Sequence, residues 1–278
     1  MRKSRALFLF LHIMELGAFA PQRLKMNIEI FGESERQKSA ERLLSGESFD
    51  FESVKILPIP SSRDGDHITG TEIFLSDFES GLNAGDFVIA YGLPEALKKR
   101  IASKGVLCYD AACDEAFLYE NAYVTAEGTL GYILTSSKKV PKDMKFGIIG
   151  YGRIGSCLTR LLLFLGARVK IFSSKRLTRI ELGLCDIESP EIELSDFSDK
   201  NISGLDFVLN TAPTNLSCLF PKKCVPEGMR VIDLASGDSF PGVSGVEYLP
   251  SLPNRMYPVS AGEIYAKRAL LWLRGEEK

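Results

Sequence analysis

Histidine is nearly missing from this 278-residue chain: there are two, His12 and His67, and none after position 67. An imidazole general acid/base late in the chain is thereby excluded. The six cysteines, at 108, 113, 157, 185, 218 and 224, form no Cys-x-x-Cys pair. With so little histidine, no zinc or other metal site is expected. Scattered cysteines in a chain of this size fit a reducing cytosol. Basic charge is not in excess either, with 34 Lys and Arg against 36 Asp and Glu and a net charge of -2. That removes the electrostatic footprint of a nucleic-acid or anionic-membrane partner. The sequence has no internal repeat and no low-complexity tract. No apolar run approaches the ~20 residues that a spanning helix needs.

The first 25 residues stand apart. Met1-Arg-Lys-Ser-Arg5 is basic, Ala6 to Met14 is mostly apolar, and Ala18-Phe-Ala20 looks like a signal-peptidase site. Against cleavage, His12 and Glu15 interrupt the run and Pro21 follows at once. Met26 opens Met26-Asn-Ile-Glu-Ile-Phe-Gly32, a good first strand. Residues 1–25 are therefore expected to be a loosely attached extension or a mis-assigned start, making few contacts with the main body. A cleaved signal peptide is the alternative.

From residue 26 the chain alternates strand-like and helix-like segments, the pattern of an α/β protein. In the first half, strands are expected at 27–31, 54–57, 87–91 and 106–109, and helices at 35–44, 75–83, 94–103 and 125–136. In the second half, strands are expected at 145–149, 169–172, 207–210, 230–233 and 246–249. Helices are expected there at 154–165, 175–182, 194–201 and 260–274. The polar stretch Ser136-Ser-Lys-Lys-Val-Pro-Lys-Asp143 marks a break. The fold class is α/β with two doubly wound Rossmann-like domains, an interdomain cleft and a C-terminal helix bridging back. Residues 26–120 form a Rossmann- or flavodoxin-like substrate domain and 121–139 a bridging helix and linker. Residues 140–255 form an NADP-binding Rossmann domain and 256–278 the C-terminal bridge.

The strongest motif is Gly150-x-Gly152-Arg153-Ile154-Gly155. Three glycines alone are a weak signal, but here an apolar strand precedes them. A helix follows with Ile154, Leu158, Leu161 and Leu165 on one face, and then a second strand, Val169-Lys-Ile-Phe172. Gly150 permits the tight turn, Gly152 lets the backbone approach a pyrophosphate, and Gly155 lets helix and strand pack. The helix N-terminus offers free N–H groups to the phosphates. At the end of the second strand, Phe172-Ser173-Ser174-Lys175-Arg176 carries no carboxylate. Two hydroxyls and two cations there suit the 2′-phosphate of NADP, the alternative being a solvated basic loop. Asn210-Thr211-Ala212-Pro213 lies where Rossmann enzymes line the nicotinamide ribose, and Asp233 either reaches the cofactor or pins a loop. The first strand also ends in glycine, Gly32, but Glu33 and Glu35 follow and would repel a pyrophosphate.

Five further segments, in order around the glycine loop, carry a resemblance. They are Leu57-Pro-Ile-Pro-Ser-Ser-Arg-Asp-Gly65, Asn121-Ala-Tyr-Val-Thr-Ala-Glu-Gly128, Ile232-Asp-Leu-Ala-Ser236, Leu252-Pro253 and Pro258-Val-Ser-Ala-Gly262. Over roughly residues 26–275 the chain resembles the A-type subunit of dipicolinate synthase, a family of spore-forming bacteria. The resemblance implies a cytoplasmic oxidation, dependent on a nicotinamide cofactor, of a dihydrodipicolinate-type cyclic dicarboxylate to pyridine-2,6-dicarboxylate. It also implies a flavoprotein-like second subunit, and self-association is left open. For such a substrate, Ser61, Ser62 and Arg63 are suited to one carboxylate. Thr125 and the free N–H groups of the helix it is expected to open are suited to the other. Glu127, in that first turn, is the candidate proton acceptor, although the helix dipole explains a carboxylate there equally well. Arg255 either reaches the cleft or lies in solvent. Ser251 and Asn254 depart from the family pattern, which has glycine at both positions. Two alternatives stand beside this reading: an NADP-dependent reductase of another small carboxylate, and a non-catalytic NADP-binding partner subunit.

Overall fold

The computed structural model describes residues 27–47, 51–173, 192–196 and 202–276. The expectation for residues 1–25 lies outside this set, as does the helix expected at 175–182. The first domain has four parallel strands, β1 (Asn27–Ile30), β2 (Ser53–Ile56), β3 (Asp86–Ala90) and β4 (Leu107–Asp110), paired in that order. All five residues of β3 are buried, as a strand covered on both faces requires. Three helices connect these strands: α1 (Glu35–Leu44), α2 (Leu75–Ser80) and α3 (Glu95–Ser103).

The two faces of this sheet bury different helices. On one face Ala40 and Leu44 of α1 pack with Val54, Ile56, Phe87 and Ile89. On the other, Phe78 of α2 and Leu97 and Ile101 of α3 pack with Leu57, Val88 and Ala90. All three connections advance in the same direction across the sheet, so crossovers of one hand would put all three helices on one face. The β1–α1–β2 connection therefore has the opposite hand to the other two. The strand order also departs from the flavodoxin-like one, in which the first strand lies inside the sheet.

The C-terminal helix explains where α1 sits. That helix, α7 (Pro258–Arg274), returns to the first domain and contributes Tyr265, Ala266, Ala269 and Leu270 to the core beneath α1. Gly262 approaches α1 so closely that a Cβ there would collide with the Arg36 carbonyl and the Ser39 side chain. The Ser39 hydroxyl donates to the Val259 carbonyl at 3.0 Å.

Among the described residues, three α-helices lie between α3 and α7: α4 (Glu115–Ser136), α5 (Arg153–Phe164) and α6 (Leu252–Met256). Helix α4 is the bridge, and it starts ten residues before the expected position. Asp114 caps it, accepting from the Phe117 amide at 3.1 Å. Phe117 joins the first domain's core, while Ala126 and Ile133 join that of the second. A helix covered by two domains has apolar residues around most of its girth, so one-sided periodicity does not mark its beginning.

Among the described residues, the second domain has six parallel strands: β5 (Lys145–Ile149), β6 (Arg168–Ser173), β7 (Ile192–Asp196), β8 (Phe207–Asn210), β9 (Arg230–Asp233) and β10 (Val246–Tyr248). Their order, β10-β9-β8-β5-β6-β7, is that of a doubly wound dinucleotide-binding sheet. One expectation fails here. The helix placed at 194–201 overlaps β7, where Ile-Glu-Leu-Ser-Asp pairs in register with Val169–Ser173. The alternation of Ile192 and Leu194 with polar neighbours is the period of a strand, not of a helix. No helix among the described residues is long and apolar enough to cross a membrane.

A buried ion pair ties α7 to the start of α4. Arg268 donates to both oxygens of Asp114, at 2.8 and 3.0 Å, and Tyr109 donates its hydroxyl to the same carboxylate at 2.8 Å. Burial pushes the Asp114 pKa up, but the bonds from Arg268, the Phe117 amide and Tyr109 outweigh it, and the net shift is downward. A carboxylate lowered in the folded state contributes stability above its unfolded value of about 4. That stability is lost as pH falls through the folded value. Asp114→Ala is expected to cost about 3–5 kcal/mol at pH 7, because it strands the buried Arg268 charge. Asp114→Asn should flatten the acid limb of the stability curve. Urea titrations across pH check both, and wild-type-like stability of Asp114→Ala would contradict them.

Candidate active site between two strand-end crevices

Each sheet has a place where successive connections leave on opposite faces. In the first domain it lies between β1 and β2. In the second it lies between β5 and β8: α5 buries Leu158 and Leu162 on one face, and the segment after β8 buries Leu216 and Phe220 on the other. Such switch points open crevices at the carboxyl ends of the strands. A cleft of about 470 Å³ is lined from both domains. The first supplies Gly32 to Gln37 (except Glu35), Leu57 to Pro60, Arg63, Thr69, Gly70 and Tyr91, and the second supplies Ile154, Leu234 and Ser236. Asn121 and Thr125 of α4, the segment Leu249 to Asn254 (except Pro250) and Tyr265 complete it.

The glycine loop has the geometry its sequence implies. Gly150 has φ +88°, and a Cβ there would lie 2.9 Å from the Thr211 hydroxyl. A Cβ on Gly155 would run into the Gly150 carbonyl. A Cβ on Gly152 would meet nothing within 4 Å. Gly152 is the N-cap of α5, makes no side-chain cap bond, and has no acidic residue in the turn that follows. The first domain is built oppositely. The Ser34 hydroxyl caps α1, accepting from the Gln37 amide at 3.3 Å, and Glu35 sits in the first turn. Thus α1 satisfies its own N-terminus, whereas α5 leaves N–H groups and open space for an anion. The residues present fit a dinucleotide pyrophosphate at α5.

Other candidates are used differently from expectation. Arg153 turns to α4, pairing with both oxygens of Glu115 at 2.7 and 2.9 Å and lying over the Tyr119 ring. Asn210 is fully buried: its amide nitrogen donates to Asp233 at 2.8 Å and to the Ala212 carbonyl at 3.1 Å, and its side-chain oxygen accepts from the Ala212 amide. Asp233 also accepts from the Ala235 amide at 3.1 Å. These two side chains pin the loops after β8 and β9. The Thr211 hydroxyl bonds to the Ile149 and Gly150 carbonyls. Ala212 is half-buried and Pro213 exposed. Ser173 ends β6 half-buried, and Ser174, Lys175 and Arg176 lie outside the described residues.

The substrate-side expectations divide. Ser61 is buried, accepting from the Tyr91 amide at 2.8 Å and donating to the Pro58 carbonyl. Ser62 donates to Asp64 and accepts from the Gly65 amide. Both shape the loop rather than line the cleft. Arg63 does line it, at the exposed rim, and makes no ion pair among the described residues. Thr125 lines it too, but sits in mid-helix with its hydroxyl bonded to the Asn121 carbonyl at 2.8 Å. The free N–H groups expected there belong instead to the helix interior. Glu127 is corrected with it: it is exposed, lies more than three turns past the helix start, and borders a separate surface hollow with Leu130, Leu134 and Tyr257. Arg255 is exposed and absent from the cleft lining. Ser251 has φ 55° and ψ 36°, the left-handed conformation that glycine adopts without strain, which accounts for glycine in the related pattern.

The lining residue most easily overlooked is Arg36. A charged residue on an amphipathic helix ordinarily faces solvent, yet Arg36 shares the apolar face with Ala40 and Leu44 at spacings of four. That spacing is the available signal. Burial lowers its guanidinium to about 10, opposed by the phenols of Tyr265 and Tyr91, so it stays charged at neutral pH.

The glycine geometry generates a paired expectation. Gly155→Ala should cut dinucleotide affinity at least tenfold and also lower Tm, because the Gly150 turn must move. Gly152→Ala should leave Tm unchanged and still weaken binding, because its methyl group occupies phosphate space. Fluorescence titration with NADPH beside thermal melts separates the two. Wild-type affinity in Gly152→Ala would remove the pyrophosphate from this helix.

No family model and no curated protein matches the chain. Solved structures do share its fold. The A-type subunit of dipicolinate synthase from Bacillus halodurans aligns with a TM-score of 0.68 at 20% identity, covering 91% of this chain and 99% of that one. The corresponding chain of dipicolinate synthase from Bacillus subtilis aligns at 0.67 and 19%, covering 91% and 98%. A transhydrogenase from Sinorhizobium meliloti aligns at 0.56 and 17%, covering 90% and 94%. The chain thus has the two-domain Rossmann-type fold of the A-type subunit of dipicolinate synthase.

Proposed function

We propose that the protein is an NADP-dependent oxidoreductase that oxidises a dihydrodipicolinate-type cyclic dicarboxylate to pyridine-2,6-dicarboxylate in the cytoplasm of a spore-forming cell. One observation carries this reading. The cleft has Ile154, in the first turn of the uncapped helix α5, on one side and, on the other, Arg36 and Arg63, which have no carboxylate partner among the described residues. The fold shared with the A-type subunit of dipicolinate synthase supports it. Gly150, Gly152 and Gly155 would hold the pyrophosphate and Ile154 would pack beside the cofactor. Ser173, Ser174, Lys175 and Arg176 would hold the 2′-phosphate. When bound, the nicotinamide accepts the hydride. The substrate ring loses one hydride and one proton and becomes aromatic, so modest base assistance suffices. Glu33, the carboxylate on the cleft lining, replaces Glu127 as candidate proton acceptor. Leu57, Pro58 and Ile59 make an apolar wall that limits water. Arg63 at the rim would meet one substrate carboxylate.

A specific observation favours a second reading, an NADP-binding subunit completed by another chain, such as a flavoprotein-like partner. Tyr119, Tyr123 and Leu134 stand exposed along one side of α4, with Val259 exposed at the start of α7, and exposed aromatic and apolar side chains are enriched at contact sites.

The test is turnover by the purified chain. Given the cyclised product of aspartate semialdehyde and pyruvate, it should form pyridine-2,6-dicarboxylate and NADPH, faster with NADP⁺ than with NAD⁺. Arg176→Ala should weaken NADP(H) binding by roughly 1–3 kcal/mol and spare NAD(H). Turnover that occurs only on adding a second protein would favour the partner reading. Equal loss of both cofactors in Arg176→Ala would remove the 2′-phosphate assignment.

A further inference from the structure

Two arginines are buried in the first domain, and they are treated differently. Arg268, 7% exposed, has the Asp114 carboxylate. Arg36, 6% exposed, has among the described residues a neutral partner and no charged one: its Nη2 donates to the Asn121 side-chain oxygen at 3.0 Å. The Phe117 and Tyr265 rings lie 5.8 Å from its guanidinium carbon, and its Nε has no hydrogen-bond partner. A buried cation without a counter-charge is costly, and it persists where something else uses it. Among the described residues, three buried side-chain polar atoms lack a partner: Arg36 Nε, Thr69 Oγ1 and Asn254 Oδ1. All three residues line the interdomain cleft. They come from three separate segments, α1, the β2–α2 loop and α6, so their convergence is not a local packing fault.

We propose that Arg36 receives a substrate carboxylate, that Thr69 donates its hydroxyl to the same group, and that Asn254 accepts from an N–H or O–H of the same ligand. This rests on the reading of the cleft as a dicarboxylate site. It says which group of the ligand each residue takes: the carboxylate falls to Arg36 and Thr69, and a donor falls to Asn254; pyridine-2,6-dicarboxylate, which has no N–H or O–H at neutral pH, engages only the first two. Arg36 differs from Arg63 in worth. A carboxylate on exposed Arg63 is screened by water, whereas one on Arg36 meets a desolvated cation. A neutral analogue would leave that cation unpaired, so the site rejects it.

Wild type, Arg36→Met and Arg36→Lys would be titrated calorimetrically with pyridine-2,6-dicarboxylate, its diamide, pyruvate and NADPH, beside melts of the unliganded proteins. Wild type should bind the dicarboxylate and not the diamide. Both variants should lose dicarboxylate affinity by about 30-fold or more, because lysine lacks the planar fork, and should keep NADPH affinity. Arg36→Met should melt at or above the wild-type temperature, since it replaces a buried charge with an apolar chain of similar length. A structural Arg36 would give the reverse, a lower melting temperature with dicarboxylate affinity retained, and that overturns the assignment while leaving the substrate reading intact. If Arg36→Met does not fold, dicarboxylate affinity in Arg36→Lys decides in the same way. If wild type binds pyruvate but not the dicarboxylate, and the variants lose pyruvate, Arg36 stands as the carboxylate ligand and the dicarboxylate reading falls. Wild type binding no carboxylate overturns both.

Discussion

The approach of α7 to α1 at Gly262 is the constraint on which the rest of the architecture hangs. A side chain there would collide with the backbone at Arg36. With the gap closed, α7 supplies much of the core beneath α1 and holds that helix on the face opposite α2 and α3. The connections after β1 and β2 therefore part, and a crevice opens at their carboxyl ends. The same contact buries Arg36 between Phe117 and Tyr265. The Asp114–Arg268 pair holds the other end of the arrangement, joining α7 to the start of the bridging helix. A helix from the far end of the sequence thus sets the shape of the first domain's ligand-facing edge.

The two domains meet the cleft with complementary chemistry. In the second, the glycine loop brings Gly155 against the Gly150 carbonyl and leaves Gly152 facing open space. Helix α5 is uncapped by any side chain, and anions stabilise such a terminus. In the first, Ser34 caps α1, so the exposed dipole is quenched, and positive charge is carried by side chains instead. A dinucleotide on one wall and an anionic ring on the other would each find the group it needs. The cost is a first domain carrying an uncompensated buried cation, a sacrifice of stability of the kind binding sites retain.

Much of this is legible in the sequence, for physical reasons that also explain the failures. The glycine loop and strands Lys145–Ile149, Phe207–Asn210 and Arg230–Asp233 follow directly from short apolar runs flanked by turn chemistry. The C-terminal helix, expected at 260–274 as a bridge, is found at Pro258–Arg274, packed on the first domain. Glu127 and Thr125 are misplaced by sequence reasoning because α4 is covered by both domains and shows no amphipathic onset. Its true N-cap is Asp114. Residues 194–196 read wrongly as the start of a helix because a five-residue edge strand carries too little pattern to outweigh a polar stretch. Asn210 and Asp233 stand where the motif places them, but they bond to each other and to backbone. Position in a motif indicates proximity to a ligand, whereas role depends on which partners the fold has already supplied. Arg36 is the converse, a residue of the cleft lining marked in the sequence by standing on an apolar helix face.

A crystal structure of the chain with both NADP⁺ and pyridine-2,6-dicarboxylate would test the two-walled cleft itself. The account predicts the pyrophosphate at the N-terminus of α5 and one carboxylate within hydrogen-bond distance, about 3 Å, of the Arg36 guanidinium, in the same cleft. A dicarboxylate bound away from Arg36, or a pyrophosphate away from Gly150 to Gly155, would contradict it.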